Sequence, residues 1–247
     1  MTLSRRSFLS VAASLAGAGV VAPALPSIAS AATPKIGVQV PGLYRFSVGD
    51  IEVLAILDGH LGLDPALVIG FDQQVAEETL RQEFRSPNTE DMAISVNGYL
   101  INTGEKLVVV DTGTADLMGP TLGRFHQNLK AAGYNAADVD AVVLTHLHID
   151  HFGGLISKAG EKLFPNAEFI VHETEYTFWH DDGTRSRFPK ELQHFVDLAQ
   201  TVSKPYENRR TLISKEGEFI KGLDAVPLPG HTPGHMVSAF IPIMRRF

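Results

Sequence analysis

Ten residues, Thr145 to Gly154 (T-H-L-H-I-D-H-F-G-G), constrain this chain more than any other stretch. Three histidines and an aspartate, His146, His148, Asp150 and His151, fall within six positions. Just before them, Ala141-Val142-Val143-Leu144 is apolar with two β-branched valines at its centre, which predicts a short buried strand that delivers the polar run at its C-terminal end. Side chains alternate along extended backbone, so His146, His148 and Asp150 are expected on one side and His151 on the other. One loop of this kind serves two adjacent metal ions, with Asp150 and His151 on the second. Gly153 and Gly154 let the backbone pass close behind the site. A run of surface histidines is the plainer reading, and the spacing directly after a strand argues against it. The helix-borne zinc motif H-E-x-x-H is absent.

Composition narrows the chemistry. The 247 residues contain no cysteine, which excludes disulfides and thiolate-ligated zinc and leaves histidine and carboxylate as ligands. The formal net charge is −7, which disfavours nucleic acid as a partner and with it a nuclease. At the N-terminus, Ser4-Arg5-Arg6-Ser7-Phe8-Leu9 fits a twin-arginine export signal. An Ala/Gly-rich, weakly apolar stretch to Val21 follows, then Ala29-Ser30-Ala31 as an A-x-A cleavage site. Residues 1–31 are therefore expected to be a leader cut after Ala31. Residues 32–247 are expected to be the mature domain, exported by the twin-arginine machinery to the periplasm or beyond, without a stable membrane anchor. Loss of Arg5 and Arg6 makes the mature protein still more acidic.

The rest reads as one α/β domain without repeats or long linkers. Ile51 to Leu57 is a predicted strand closed by Asp58-Gly59. Gln73 to Phe84 has helical periodicity. Ile94 to Ile101 and Lys106 to Val110 form a predicted hairpin, ending at Asp111-Thr112-Gly113. Leu122, Phe125, Leu129 and Ala132 share one helix face, with Gly133 as its C-terminal stop. Phe169-Ile170-Val171 is a strand, Glu191 to Val202 a helix, and Ala225 to Leu228 a strand. There is no G-x-S-x-G nucleophile elbow.

H-x-H-x-D-H followed by Gly-Gly resembles the signature of the metallo-β-lactamase-fold superfamily, and Pro229-Gly230-His231-Thr232-Pro233-Gly234-His235 is similar to its G-H-T-P-G-H turn. Pro41 to Phe46, Thr121 to Arg124, Asn128 to Tyr134 and Phe164 to Ala167 look like the branch of methyl parathion hydrolase and its lactonase-like relatives. The resemblance implies an αββα two-sheet sandwich and makes His231 a metal ligand beside His146 and His148. It also implies two divalent ions, zinc first among them, the second on Asp150 and His151, with the Asp111 turn bracing the centre. A metal-bound hydroxide would then attack a lactone, aryl ester or organophosphate triester, with Asp150 as the catalytic residue that orients it.

Phe178, Trp179, Phe188 and Phe195 fall in the region that lines an aromatic pocket in the resembled branch and together imply a small apolar or aryl substrate, although each taken singly reads more simply as a core aromatic. His60, His126, His172, His180 and His194 are expected to be surface or structural. Relatives continue beyond the turn and add a bridging aspartate and a final histidine, whereas no aspartate or histidine follows His235 here. The second metal site is therefore expected to be incomplete, and the chain to be a C-terminally truncated family member lacking part of its second half. Two alternatives follow: a catalytically impaired remnant binding at most one ion, and a thioester hydrolase of the same superfamily. A homodimer is the assembly the resemblance allows.

Overall fold

A computed structural model describes residues 33, 35–88 and 92–240. The leader-like segment, with Arg5, Arg6 and the Ala29-Ser30-Ala31 site, lies outside the described residues, as do Ile241 to Phe247. Seven strands stand in one sheet in sequence order: β1 (Leu43–Val48), β2 (Ile51–Gly62), β3 (Ala93–Asn102), β4 (Leu107–Val110), β5 (Ala141–Val143), β6 (Glu168–His172) and β7 (Arg210–Ile213). Pairing is antiparallel from β1 to β4 and parallel from β4 to β7. A second, antiparallel sheet holds β8 (Gly217–Ile220), β9 (Leu223–Pro227) and β10 (Met236–Phe240), with β9 in the middle. The described α-helices are α1 (Gln73–Gln82), α2 (Phe125–Ala131), α3 (Ile149–Phe152), α4 (Glu173–His180), α5 (Asp182–Arg187) and α6 (Gln193–Ser203).

The central strands β4 and β5 are apolar at every position because both faces of the sheet are covered there, whereas β1 is largely exposed. Val53, Ile101, Val108, Val110, Val143 and Ile170 face Leu223, Ala225 and Met236 of the small sheet. Their neighbours Leu54, Leu100, Val109, Val142, Phe169 and Val171 face the other way, onto Phe125, Leu129, Phe152, Trp179, Val196 and Val202. Among the described residues, no helical residue enters the inter-sheet cluster. Among the described residues the layers are thus helices, large sheet, small sheet: a mixed α/β architecture with the first three layers of the αββα sandwich. No helix among the described residues is long and apolar enough to cross a membrane.

Two of the boundaries that differ from the sequence reading do so for one reason. β2 does not close at Asp58-Gly59 but continues to Gly62 through a bulge between Leu57 and Gly59. The bulge buries Asp58, whose carboxylate accepts the amides of Thr114, Gly123 and Phe125 and the Thr114 hydroxyl. The Phe125 amide is the first donor of α2, so a carboxylate from a distant strand caps this helix. The helix therefore begins at Phe125, and Leu122 lies before it. Gly133, at φ 91°, ends it as expected. The predicted 191–202 helix starts with a 3₁₀ turn at Lys190–Leu192 after Pro189, and α6 proper follows.

Candidate metal centre

Two loops build the site. The first leaves β5, bends at Thr145 and His146, and carries His148 on extended backbone. At His148 (φ −98°, ψ 153°) the chain coils into α3. The alternation expected through His151 therefore stops at His148. The turn buries Phe152 and gives the His151 carbonyl to the amide and hydroxyl of Thr112. Asp150 and His151 consequently stand side by side, with Asp150 Oδ2 3.3 Å from His151 Nε2. Behind them, Gly153 and Gly154 press on the 112–114 turn so closely that a Cβ on either would overlap the backbone of Thr114 or Thr112. The second loop runs from β9 to β10 and carries His231 and His235. The amide of Met236, at its end, donates to the Thr145 carbonyl at 3.0 Å, joining the two loops.

Three imidazoles converge where the loops meet. His146 Nε2 lies 3.1 Å from His148 Nδ1, which lies 3.0 Å from His231 Nε2. The ligating nitrogens all fall within 4.8 Å of one another, and among the described residues no other His, Asp or Glu group of three does so. Nitrogens around tetrahedral zinc at its usual bond length stand about 3.3 Å apart, so side-chain shifts of a few tenths of an ångström accommodate an ion. His146 is buried, His148 half-buried and His231 exposed, which leaves the centre open on the His231 side.

The protonation states suit ligation. Burial, and then the neighbouring rings of His151, His148 and His231, hold His146 far below the ordinary histidine value. Burial and His231 push His148 down to about 4, against the raising influence of Asp150 and Glu175. Both rings are therefore neutral near pH 7. The Thr145 hydroxyl donates to Asp111 Oδ2 (2.9 Å), so it accepts from His146 Nδ1 (3.0 Å). That fixes the His146 proton on Nδ1 and leaves Nε2 free to bind an ion.

His151 is different. Burial opposes its charge, but hydrogen bonds and charges from Asp111 (2.8 Å) and Asp150 outweigh burial and push it up to about 10. In the metal-free protein the ring is doubly protonated, so an ion binding at Nε2 must release a proton. Burial alone would raise Asp150, but its bond to His151 holds it below the usual carboxylate value.

Not every residue expected at the site faces it in the same way. His146, His148 and His231 come together; Asp150 and His151 form an adjoining pair without a third ligating group among the described residues. Trp179 departs from the pocket expectation. It is 2% exposed, its indole N–H is bonded to Glu175, and it packs edge-on against His148 at 5.5 Å. It backs a ligand instead of lining an open pocket. Phe178, Phe188 and Phe195 are partly buried against the helical core. Of these, Phe178 reaches a cleft of about 440 Å³ beside the ligand turn, lined also by Thr174, Thr177, Arg187 and Pro233.

Of the other histidines, His126 bonds the Gly154 carbonyl, His180 bonds Ser203, and His172 caps α4. His235 was not expected at the centre, yet its ring lies 5.0 Å from that of His146. Glu175, equally unforeseen, is fully buried between the two ligand loops. An acidic residue four positions before a tryptophan was its only mark in the sequence.

Comparison with known proteins agrees with this architecture. A family model described as the metallo-beta-lactamase superfamily matches residues 92–240. An N-acyl homoserine lactonase of Rhizobium radiobacter is 32% identical over 173 residues, covering 60% of this chain and 60% of that protein. An N-acyl homoserine lactonase of a Bacillus sp is 27% identical over 156 residues, covering 56% and 54%. The chain thus spans little more than half the length of these curated relatives. Among solved structures, the hydrolase AbOPH of the beta lactamase superfamily is 35% identical with a TM-score of 0.74, covering 80% of this chain and 69% of that one. AidC, a dizinc quorum-quenching lactonase, is similar in fold, with a TM-score of 0.75 at 23% identity, covering 83% and 72%.

Proposed function

Because the chain belongs to the metallo-beta-lactamase superfamily, we propose that it is a metal-dependent hydrolase acting on lactones, with aryl esters and organophosphate triesters as further substrates. The observation that carries this reading is the convergence of His146 Nε2, His148 Nδ1 and His231 Nε2, three imidazole nitrogens in a centre open on one side. Three protein ligands and an open position mark a catalytic site, not a structural one. A divalent ion held there, zinc first among candidates, lowers the pKa of water towards 7 and polarises a carbonyl or phosphoryl oxygen. The lactonase relatives and the dizinc neighbour support the choice of lactones and of zinc.

This chain's residues supply the rest. Thr145 and Asp111 hold the His146 tautomer. Asp150, ionised and half-buried, would orient the attacking water. Phe178 and Pro233 offer an apolar wall for the leaving portion of the substrate. The acidic surface suits a neutral substrate.

The test is hydrolysis of a panel of N-acyl homoserine lactones, aryl esters and phosphotriesters by the zinc-loaded chain, compared with His148→Ala. Ring opening of lactones that chelator abolishes and His148→Ala lacks is the expected result. A second reading, a protein that binds one ion without turnover, is favoured by the Asp150–His151 pair having no third ligand among the described residues. One bound ion with no hydrolysis of any panel member would establish it in place of the first. Export through the twin-arginine route to the periplasm remains part of the proposal and is tested by fractionating cells that produce the full chain.

A further inference from the structure

Glu175 sits on α4, is fully buried, and forms no ion pair among the described residues. A buried carboxylate is costly unless its oxygens are hydrogen-bonded. Here every bond it accepts serves the edge of the metal centre. Oε1 accepts the amide of Leu147 (2.9 Å) and the indole N–H of Trp179 (2.7 Å); Oε2 accepts the amide of Gly234 (2.9 Å). Leu147 lies between His146 and His148, and Gly234 lies in the turn that begins at His231. Trp179 in turn packs edge-on against the His148 ring. The turn rests directly on α4: a Cβ on Gly234 would run into the backbone of Glu175.

We propose that Glu175 is the positioning residue of the three-histidine centre, its two oxygens tying the His146–His148 loop to the His231 turn and setting their separation before an ion binds. Glu175 hydrogen-bonds none of the three ligands itself but holds the backbone of both loops that carry them. This rests on the reading that those histidines hold an ion.

The discriminating variant is Glu175→Gln in the full chain. With its carbonyl oxygen in the Oε1 position, the amide keeps the bonds to Leu147 and Trp179, but its NH₂ then faces the Gly234 N–H, donor against donor. The opposite orientation releases Leu147 and Trp179 instead. Either way one ligand loop is freed. Zinc affinity by chelator competition is expected to fall about 10–100-fold, the range for lost supports of metal ligands, and the visible spectrum of the Co²⁺-loaded variant is expected to change. Trp179→Phe removes one donor and part of the packing on His148 but neither loop bond, and is expected to lose less zinc affinity than Glu175→Gln. Wild-type affinity and spectrum in Glu175→Gln, or an equal loss in Trp179→Phe, would overturn the proposal.

Failure of the wild-type chain to bind either metal would overturn the three-histidine reading itself, together with this one. If Glu175→Gln does not fold, amide exchange in the metal-free wild type decides. Leu147 and Gly234 are expected to be protected, and free exchange at either contradicts pre-positioning.

Discussion

Asp111→Asn separates the electrostatic part of the site from its shape. Asp111 is one of the non-glycine residues at positive φ (57°), a conformation that asparagine tolerates as well as aspartate. Its Oδ1 accepts the Thr145 amide at 2.9 Å; its Oδ2 accepts the Thr145 hydroxyl at 2.9 Å and His151 Nδ1 at 2.8 Å. An asparagine that keeps the Thr145 amide bond turns its NH₂ towards the hydroxyl and the imidazole. The hydroxyl can rotate, but His151 must surrender its Nδ1 proton and carry its remaining proton on Nε2, the atom facing Asp150. What is lost is one charge-assisted hydrogen bond between groups 8% and 25% exposed, worth about 1.5–3 kcal/mol.

The loss depends on pH in a stated direction. His151 is raised from 6.5 to about 10 in the folded metal-free protein. The stability it contributes is therefore fully present below pH 6.5 and is lost as the pH rises through 10. Denaturant unfolding of metal-free wild type and variant at pH 6.5, 8 and 10 is the assay. The gap is expected to be widest at pH 6.5 and to narrow towards pH 10. A constant gap, or a wild-type His151 that titrates near 6.5 by NMR, refutes the reasoning.

Two further outcomes follow from other contacts. Gly154→Ala places a methyl against the Thr112 carbonyl and is expected to cost about 1–3 kcal/mol of stability by overpacking, read as a lower midpoint in thermal unfolding; unchanged stability would mean that the loop yields freely. Burial holds His126 below its ordinary value, against the Gly154 carbonyl and Asp58, so the stability it contributes is present above pH 6.5 and is lost as the pH falls through its lowered value. His126→Gln keeps an N–H for Gly154 and is expected to flatten the fall in metal-free stability between pH 7 and 5; an identical slope contradicts this.

What the sequence made legible was local. The β-branched run into Thr145 marked β5, because a strand buried on both faces must be apolar throughout, and the histidine spacing after it marked the ligand loop. His231 came from the resemblance of its turn, and so did the layered fold; periodicity alone distinguished only mixed α/β. The supports of the site were not legible because their partners are remote. Asp58 caps α2 across 67 residues, and Glu175 accepts an amide 59 residues away. No local pattern tells a buried carboxylate held by amides from a solvated one. Asp111 was noticed as a brace at its turn, but its partners, Thr145 and His151, emerge only when β4 and β5 lie side by side. Trp179 was assigned to the pocket by the resemblance of its region to the branch; Phe178 does reach the cleft, whereas one helical position further on the side chain turns into the core.

The central claim, a metal centre on His146, His148 and His231, is tested most directly by zinc X-ray absorption on the chain purified without added metal, together with its zinc content. At least one tightly held ion per chain is expected, with three imidazole nitrogens at about 2.0–2.1 Å, and with the ion lost in His231→Ala. A chain that retains no zinc, or zinc unaffected by that substitution, would contradict the account.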